Sequence, residues 1–365
     1  MDFLESILLP QSSQRIEILS YLITISYMIL LPYLALLFGS TFLSCRFNAR
    51  GKSSNNAHYI KLSKDLISLS AFNIYASMGI ILLPLLILMY SYAQIVQQDV
   101  SVVFENLNYT IILLIPAVVL VYIFKRSFGL SDIAKLVNKT KDDSTNRDEE
   151  FSVYKSPIIK ALTNSSRIAV WLLFASSYIL IACIKTVSDS SSMNEITSLS
   201  DMLFRDQTII SFLYFLSLSF ALTSASALYI YFKPNSYYEV SERKYADIVK
   251  KFFLNTAMIF VLVLPLIYAI DVMSIPSIAL SSSIFGISIG VLLILLLISS
   301  LLYHMIKYKN LNYRGLVLLL FIGLFYLIAA KEQAAFNTSS QLKVKKVVKA
   351  FEAKTIEMKE QLGLK

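Results

Sequence analysis

The chain has 365 residues, of which 56% are hydrophobic, with a mean hydropathy of +0.64 and a formal net charge of +9. This composition is too apolar for an ordinary soluble domain, and no nucleic-acid-binding motif accompanies the positive charge. The only two cysteines, Cys45 and Cys183, lie far apart in the sequence, so neither a disulfide nor a metal site is indicated.

Eight apolar segments alternate with polar loops along the chain. Most are about 17–28 residues long, which suits an α-helix that crosses a hydrocarbon core of roughly 30 Å. Lipid offers no hydrogen-bond partner for backbone groups, so helices are required. The sequence therefore predicts an all-α polytopic membrane protein with about eight transmembrane helices. The segments lie near residues 18–43, 66–93, 109–124, 168–184, 208–232, 252–270, 283–303 and 315–330.

Lysine and arginine residues crowd every second loop. There are 22 of them in the loops 46–64, 125–167, 233–251 and 304–314. The opposite set of segments, residues 1–17, 94–108, 185–207 and 271–282, holds three. Because positive loops stay in the cytoplasm, this pattern predicts that both termini lie on the non-cytoplasmic side of a bacterial inner membrane.

Two segments outside the spans are long. The loop 125–167 mixes nine cations with acidic residues, which predicts a partly mobile cytoplasmic connection. The C-terminal tail, residues 331–365, carries a seam of residues at steps of four and three. The seam consists of Val344, Val348, Phe351, Thr355, Met358 and Leu362. This period predicts an amphipathic helix whose seam contacts another subunit or domain.

The two halves of the membrane region look alike. The matched residues are Lys61 and Arg243, Asp65 and Asp247, Asn73 and Asn255, and Pro84 and Pro265. The spacing from cation to Asp and from Asp to Asn is the same in both halves. We predict two tandem four-helix repeats, residues 1–185 and 186–330, followed by the tail 331–365. The alternative is that the likeness does not reflect a repeat, because any two amphipathic helix starts look similar.

Few polar residues in or beside the spans suit a cofactor. Asn73 and Asn255 are predicted about two turns inside their helices, where an amide makes interhelical hydrogen bonds or contacts a cofactor such as a quinone. His58 and His304 lie at the cytoplasmic ends of spans. They are candidate axial ligands for a haem b, and solvated histidines are the alternative reading. No metal or catalytic constellation is present in the sequence, which argues against an enzyme on its own.

Small residues mark the predicted packing faces. Gly286 and Gly290 form a GxxxG motif, and Ser217, Ala221 and Ala225 repeat every four residues in the fifth span. Both patterns favour close helix packing within the monomer.

No ionisable residue lies midway along a span, because Asp65, Lys185, Asp271 and Lys331 all lie at span ends. This argues against an ion-coupled pump.

Several segments resemble a group of bacterial membrane-anchored c-type cytochromes, whose membrane part is similar to quinol-reactive subunits such as cytochrome bd. The segments are residues 36–43 (LLFGSTFL), 64–67 (KDLI), 72–73, 82–86 (LLPLL), 301–304 (LLYH) and 331–337 (KEQAAFN). In that group, about eight helices precede a periplasmic helix and a haem-c domain. The resemblance implies a quinol-facing membrane surface and a cytochrome c held near residues 331–365. Because this chain ends at Lys365, the haem domain is a separate polypeptide, has been lost or is missing from a truncated form.

The leading hypothesis is therefore a membrane-anchor subunit of a respiratory electron-transfer complex that docks a periplasmic cytochrome. The alternative is a haem-free transporter or lipid-handling protein, which the duplication and the scarcity of cofactor ligands favour. A structural membrane protein without a small-molecule site is a third reading.

Overall fold

The computed structural model of the protein describes residues 13–96, 100–139, 148–188, 198–233, 243–275 and 280–361. The described residues form ten α-helices and no strand. They are α1 (Ser13–Ser53), α2 (Ala57–Ser70), α3 (Ile74–Val96), α4 (Val100–Lys139), α5 (Asp148–Ser188), α6 (Leu199–Leu203), α7 (Asp206–Tyr231), α8 (Arg243–Met273), α9 (Ser282–Lys307) and α10 (Arg314–Gln361).

Eight of these helices contain a segment that is long and apolar enough to cross a membrane. The segments are Glu17–Ser53, Ile74–Gln94, Val103–Leu130, Asn164–Ser188, Asp206–Tyr231, Tyr245–Met273, Ser282–Lys307 and Arg314–Thr338. Large apolar side chains cover the outside of the bundle, as on α9, where Phe285, Ile289 and Leu293 are exposed. An apolar outer surface of this extent fits lipid rather than water. The prediction of an all-α polytopic membrane protein is confirmed.

Two helices form the centre of the bundle. Helix α1 packs against α2, α3, α5, α7 and α10, and α7 packs against α1, α5, α8 and α10. They approach closely at Gly39, where a Cβ atom would lie 2.7 Å from the Ser219 carbonyl oxygen and would also clash with Thr223. Glycine at position 39 therefore permits this contact. Helices α1 and α7 are the first spans of the two predicted repeats, and the repeat itself stays a prediction.

The segment 66–93, predicted as one span, is broken. Helix α2 ends at Ser70, and α3 begins at Ile74. The Tyr33 hydroxyl donates a hydrogen bond to the Ser70 carbonyl oxygen, and Lys125 Nζ donates one to the Ala71 carbonyl oxygen. Because side chains from other helices satisfy these carbonyls, the chain can leave the helix at this point. Hydropathy alone does not detect such a break.

The loop 125–167 was predicted as a partly mobile cytoplasmic connection, and its position and mobility stay predictions. Helix α4 continues to Lys139 and α5 begins at Asp148, so most of this segment extends two membrane helices. The tail was correctly predicted as a helix, but it is not separate, because α10 runs without interruption from the last span to Gln361. The predicted seam, Val344 to Leu362, lies outside the residues whose side chains the structure describes.

Small residues pack as predicted in one motif and only partly in the other. Ser217, Ala221 and Ala225 are buried within the bundle. In the GxxxG motif, Gly290 faces the Leu327 side chain of α10, whereas a Cβ atom at Gly286 would have no neighbour within 4 Å. One glycine of the motif therefore serves helix packing, and the other faces the outside of the bundle.

Candidate functional site

Four charged side chains from three helices meet inside one end of the bundle. Lys185 lies in the last turn of α5 and Asp271 in the last turn of α8, while Lys331 and Glu332 lie on α10. They are 2–6% exposed. We call these four residues the charge cluster, and the end of the bundle at which they lie the cluster end.

The cluster alternates cations and anions at ion-pair distances. Lys331 Nζ lies 2.5 Å from Asp271 Oδ2 and 3.4 Å from Glu332 Oε1. Lys185 Nζ lies 2.7 Å from Glu332 Oε1 and 3.6 Å from Asp271 Oδ1. Two positive and two negative charges leave the cluster formally neutral. Charges buried at this depth are stable in a protein only when they are paired and hydrogen-bonded.

Hydroxyl groups complete the coordination of the carboxylates. The Ser211 hydroxyl of α7 donates a hydrogen bond to Asp271 Oδ1, and the Ser188 hydroxyl lies 3.3 Å from Glu332 Oε2, to which it donates. Each of the four carboxylate oxygens therefore accepts a hydrogen bond or an ion pair. Lys331 Nζ also lies 5.0 Å from the centre of the Tyr268 ring, a favourable cation–π distance. The cluster thus joins α5, α7, α8 and α10.

The same turns of α10 are also tied to α1. Gln333 Nε2 lies 2.9 Å from the Ser20 hydroxyl, to which it donates, and that hydroxyl donates to Asn337 Oδ1 at 3.2 Å. Residues 331–337, predicted to belong to a separate tail, are therefore part of the bundle at the cluster end. Their polar side chains fix the position of α10 where it leaves the last span.

A cavity of about 60 Å³ adjoins the charge cluster on its inner side. Ser211 lies five residues into α7 and Leu218 twelve residues into it, so the cavity extends from about 8 Å to about 18 Å along that helix. Tyr214 and the four cluster residues also line it. The remaining wall is apolar and consists of Leu31, Ile181, Ile184, Phe215, Phe325 and Ile328.

A second polar contact links helices at the opposite end of the bundle. The Tyr245 hydroxyl of α8 donates a hydrogen bond of 2.7 Å to Asp65 Oδ2 on α2, and Lys61 Nζ lies 5.0 Å from the centre of the Tyr245 ring. Burial raises the pKa of Asp65, although the bond from Tyr245 and the nearby lysines oppose that rise. This contact joins the two predicted halves through α2 and α8.

The two histidines pack against different aromatic rings. The ring of His58 stacks on Tyr245 at 6.0 Å, whereas the ring of His304 lies 4.4 Å from Tyr308 and 5.2 Å from Tyr313. These are aromatic contacts of the kind found at the ends of membrane helices. A haem b site between the two histidines stays a prediction.

Of the two asparagines, one lies outside a helix, contrary to expectation, and the other lies inside a helix as predicted. Asn73 is not inside a helix but at the break before α3, where its Oδ1 accepts a hydrogen bond of 3.0 Å from the Tyr75 N–H. Asn255 lies within α8, as predicted, and is exposed on the surface of the bundle. An amide that caps a helix start has a local structural role. A contact of either residue with a cofactor stays a prediction.

Sequence reasoning recognised three members of the cluster only as charges at span ends. Lys185, Asp271 and Lys331 belong to spans 4, 6 and 8, and Glu332 was not singled out. A signal was nevertheless present, because the alternating topology predicts that the ends of these spans lie on one side of the membrane. Opposite charges that are predicted at the same depth and on the same side are candidates for pairing.

The cluster has the chemistry of a neutral ion network rather than that of a metal site. Among the described residues, no group of three or more His, Cys, Asp or Glu side chains could hold a metal ion. Within that part of the chain, both carboxylates of the cluster are already paired with lysines.

No protein-family model and no curated protein sequence matches this chain.

Proposed function

We propose that this protein is a membrane-anchor subunit of a respiratory electron-transfer complex, which holds a partner protein at the membrane surface through its C-terminal helix. The observation that carries the proposal is the length of α10, a single helix of 48 residues. At about 1.5 Å per residue it is about 72 Å long, more than twice a hydrocarbon core of roughly 30 Å. The part beyond the last span, residues 339–361, is called the stalk below.

The base of the stalk is held on several sides. Lys331 and Glu332 pair with α8 and α5, and Gln333 and Asn337 hydrogen-bond to Ser20 of α1. Because the base is fixed and the helix is continuous, the bundle determines the direction in which the stalk leaves the membrane. A fixed helix of about 35 Å suits a docking element better than a flexible linker does.

The cation distribution supports a stalk outside the cytoplasm. The basic loops mark the cytoplasmic side with 22 lysines and arginines, whereas the segments between spans at the cluster end, together with the N-terminal segment, hold three. The tail itself has eight lysines, but they follow the last span and weigh less than the loops. In a bacterial inner membrane the stalk would therefore reach the periplasm. The family resemblance makes a c-type cytochrome the partner to test first. A quinol contact on the membrane part is supported only by the family resemblance.

We expect Phe351→Glu, which places a charge on the predicted seam, to lower the amount of partner retained by the solubilised complex by about tenfold or more. A charge buried at an interface without a partner costs at least about 1.4 kcal/mol, which corresponds to that factor. The measurement is the partner-to-anchor ratio after gentle purification from the native membrane.

The control for this variant is Ala353→Glu, which adds the same charge to the same helix away from the seam. We expect it to retain the partner at the level of the unmodified protein. Equal loss in both variants, or in neither, would contradict a docking role for the seam.

A second candidate function is a transporter for a small neutral or apolar molecule. The observation that favours it is the cavity beside the charge cluster, together with the ion pair of Lys185 with Asp271, which crosses between the two predicted halves. In a transporter, such a cross-half pair would close the pathway at the cluster end and would open during the cycle. Transport activity that persists after the protein is purified without any partner would favour this candidate.

A further inference from the structure

One residue that lines the cavity beside the charge cluster, Tyr214, has a hydroxyl group without a partner among the described residues. Tyr214 is 7% exposed, and its hydroxyl makes no hydrogen bond to any of the residues that the structure describes. A buried hydroxyl in this state is unfavourable, because it has lost its bonds to water without replacing them. The hydroxyl therefore points to a hydrogen-bond partner that the described residues do not supply.

The size of the cavity restricts that ligand. Its volume is about 60 Å³, whereas one water molecule needs about 10–15 Å³ and a cavity that binds benzene measures about 150 Å³. A small group of water molecules fits this volume.

The charge balance restricts the ligand further. The two lysines and two carboxylates of the cluster compensate one another, so a charged ligand would find no unmatched opposite charge in the cavity wall. A buried charge without such a partner is strongly disfavoured. The ligand is therefore neutral.

The polar groups of the wall match the needs of water. A buried water molecule typically makes two to four hydrogen bonds. The Tyr214 hydroxyl can donate and accept, the Ser211 oxygen retains a lone pair after donating to Asp271, and each Asp271 oxygen can accept a second bond. Tyr214, Ser211 and Asp271 are all lining residues of the cavity.

We propose that this cavity is a binding site for water, in which at least one water molecule is hydrogen-bonded to the Tyr214 hydroxyl and hydrates the charge cluster. The site is independent of the docking role of the stalk. Bound water here lowers the cost of burying four charges, because it supplies hydrogen bonds that the apolar wall lacks.

Radiolytic hydroxyl-radical labelling of the intact protein in lipid tests the proposal, because radicals formed from a bound water molecule oxidise the side chains beside it. We expect Phe215, which lines the cavity, to be oxidised several times faster than Phe321, which is fully buried elsewhere in the bundle. With ¹⁸O-labelled water, the label should appear in the oxidised Phe215.

The variant Tyr214→Phe removes the proposed partner of the water molecule, and we expect the oxidation of Phe215 to fall to the rate of Phe321. Tyr33→Phe, which alters a buried tyrosine hydroxyl that bonds to Ser70 and Ser77, should leave the rate unchanged. Equal oxidation of Phe215 and Phe321 in the unmodified protein would overturn the proposal. So would rapid oxidation of Phe215 that persists in Tyr214→Phe. The comparison of Phe215 with Phe321 in the unmodified protein can overturn the proposal even if a variant fails to fold.

Discussion

Replacing Lys331 by Met is expected to lower the free energy of unfolding by about 3–5 kcal/mol, the largest loss that we predict for a single substitution. The change leaves Asp271 and Glu332 to share Lys185, so that one negative charge stays buried without compensation. Asp271→Asn is expected to cost a similar amount for the opposite reason, because it leaves an excess positive charge. The measurement is unfolding in mixed micelles by a denaturing detergent.

The double variant Lys331→Met with Asp271→Asn distinguishes charge balance from packing. It restores neutrality, so it should be more stable than the sum of the single losses predicts, by about 0.5–3 kcal/mol. Asp247→Asn, on an exposed turn of the same helix α8, is the control and should change stability by no more than about 0.5 kcal/mol. If Lys331→Met and Asp271→Asn each lowered the free energy of unfolding by no more than Asp247→Asn does, the four charges would not be buried as a unit.

Replacing Gly39 by Ala is expected to destabilise the protein by about 1–3 kcal/mol, the usual range for overpacking a well-packed core. The added Cβ atom would lie 2.7 Å from the Ser219 carbonyl oxygen, which is backbone and cannot rotate away. Helices α1 and α7 would have to separate, and both lie at the centre of the bundle.

Gly79→Ala provides the matched control for this change. A Cβ atom at Gly79 would have no neighbour within 4 Å, so the substitution only removes the conformational freedom of a glycine within helix α3. The expected result is a gain of up to about 1 kcal/mol. Gly39→Ala should therefore lower the free energy of unfolding, whereas Gly79→Ala should raise it. A gain in both variants would contradict the close approach of α1 and α7.

Hydropathy and helix period predicted the membrane fold because these properties are local. Each of the eight predicted spans overlaps a helix of the structure, and the helical nature of the tail followed from the period of its seam. The break before α3 was missed because its cause is distant in sequence. Tyr33 and Lys125, which satisfy the freed carbonyls, lie on two other helices.

The charge cluster was missed for the same reason. Each of its lysines and carboxylates looks, in its own segment, like an ordinary charge at the end of a span. Only packing brings Lys185 to within 2.7 Å of Glu332, a residue 147 positions away. The two histidines attracted attention because the sequence has no others, and Asn73 and Asn255 because they lie at matched positions in predicted spans. Neither property determines where a side chain points. Tyr214 has no signal in the sequence that separates it from the other 21 tyrosines.

The central claim is that this bundle anchors a redox partner through its C-terminal helix. The most direct test is a reduced-minus-oxidised absorption spectrum of the complex, solubilised gently from its native membrane, after which its chains are separated. The account predicts a c-type haem signal on a second chain that is present in a fixed ratio to this one and is lost in Phe351→Glu. A complex without haem on any co-purifying chain would contradict the account.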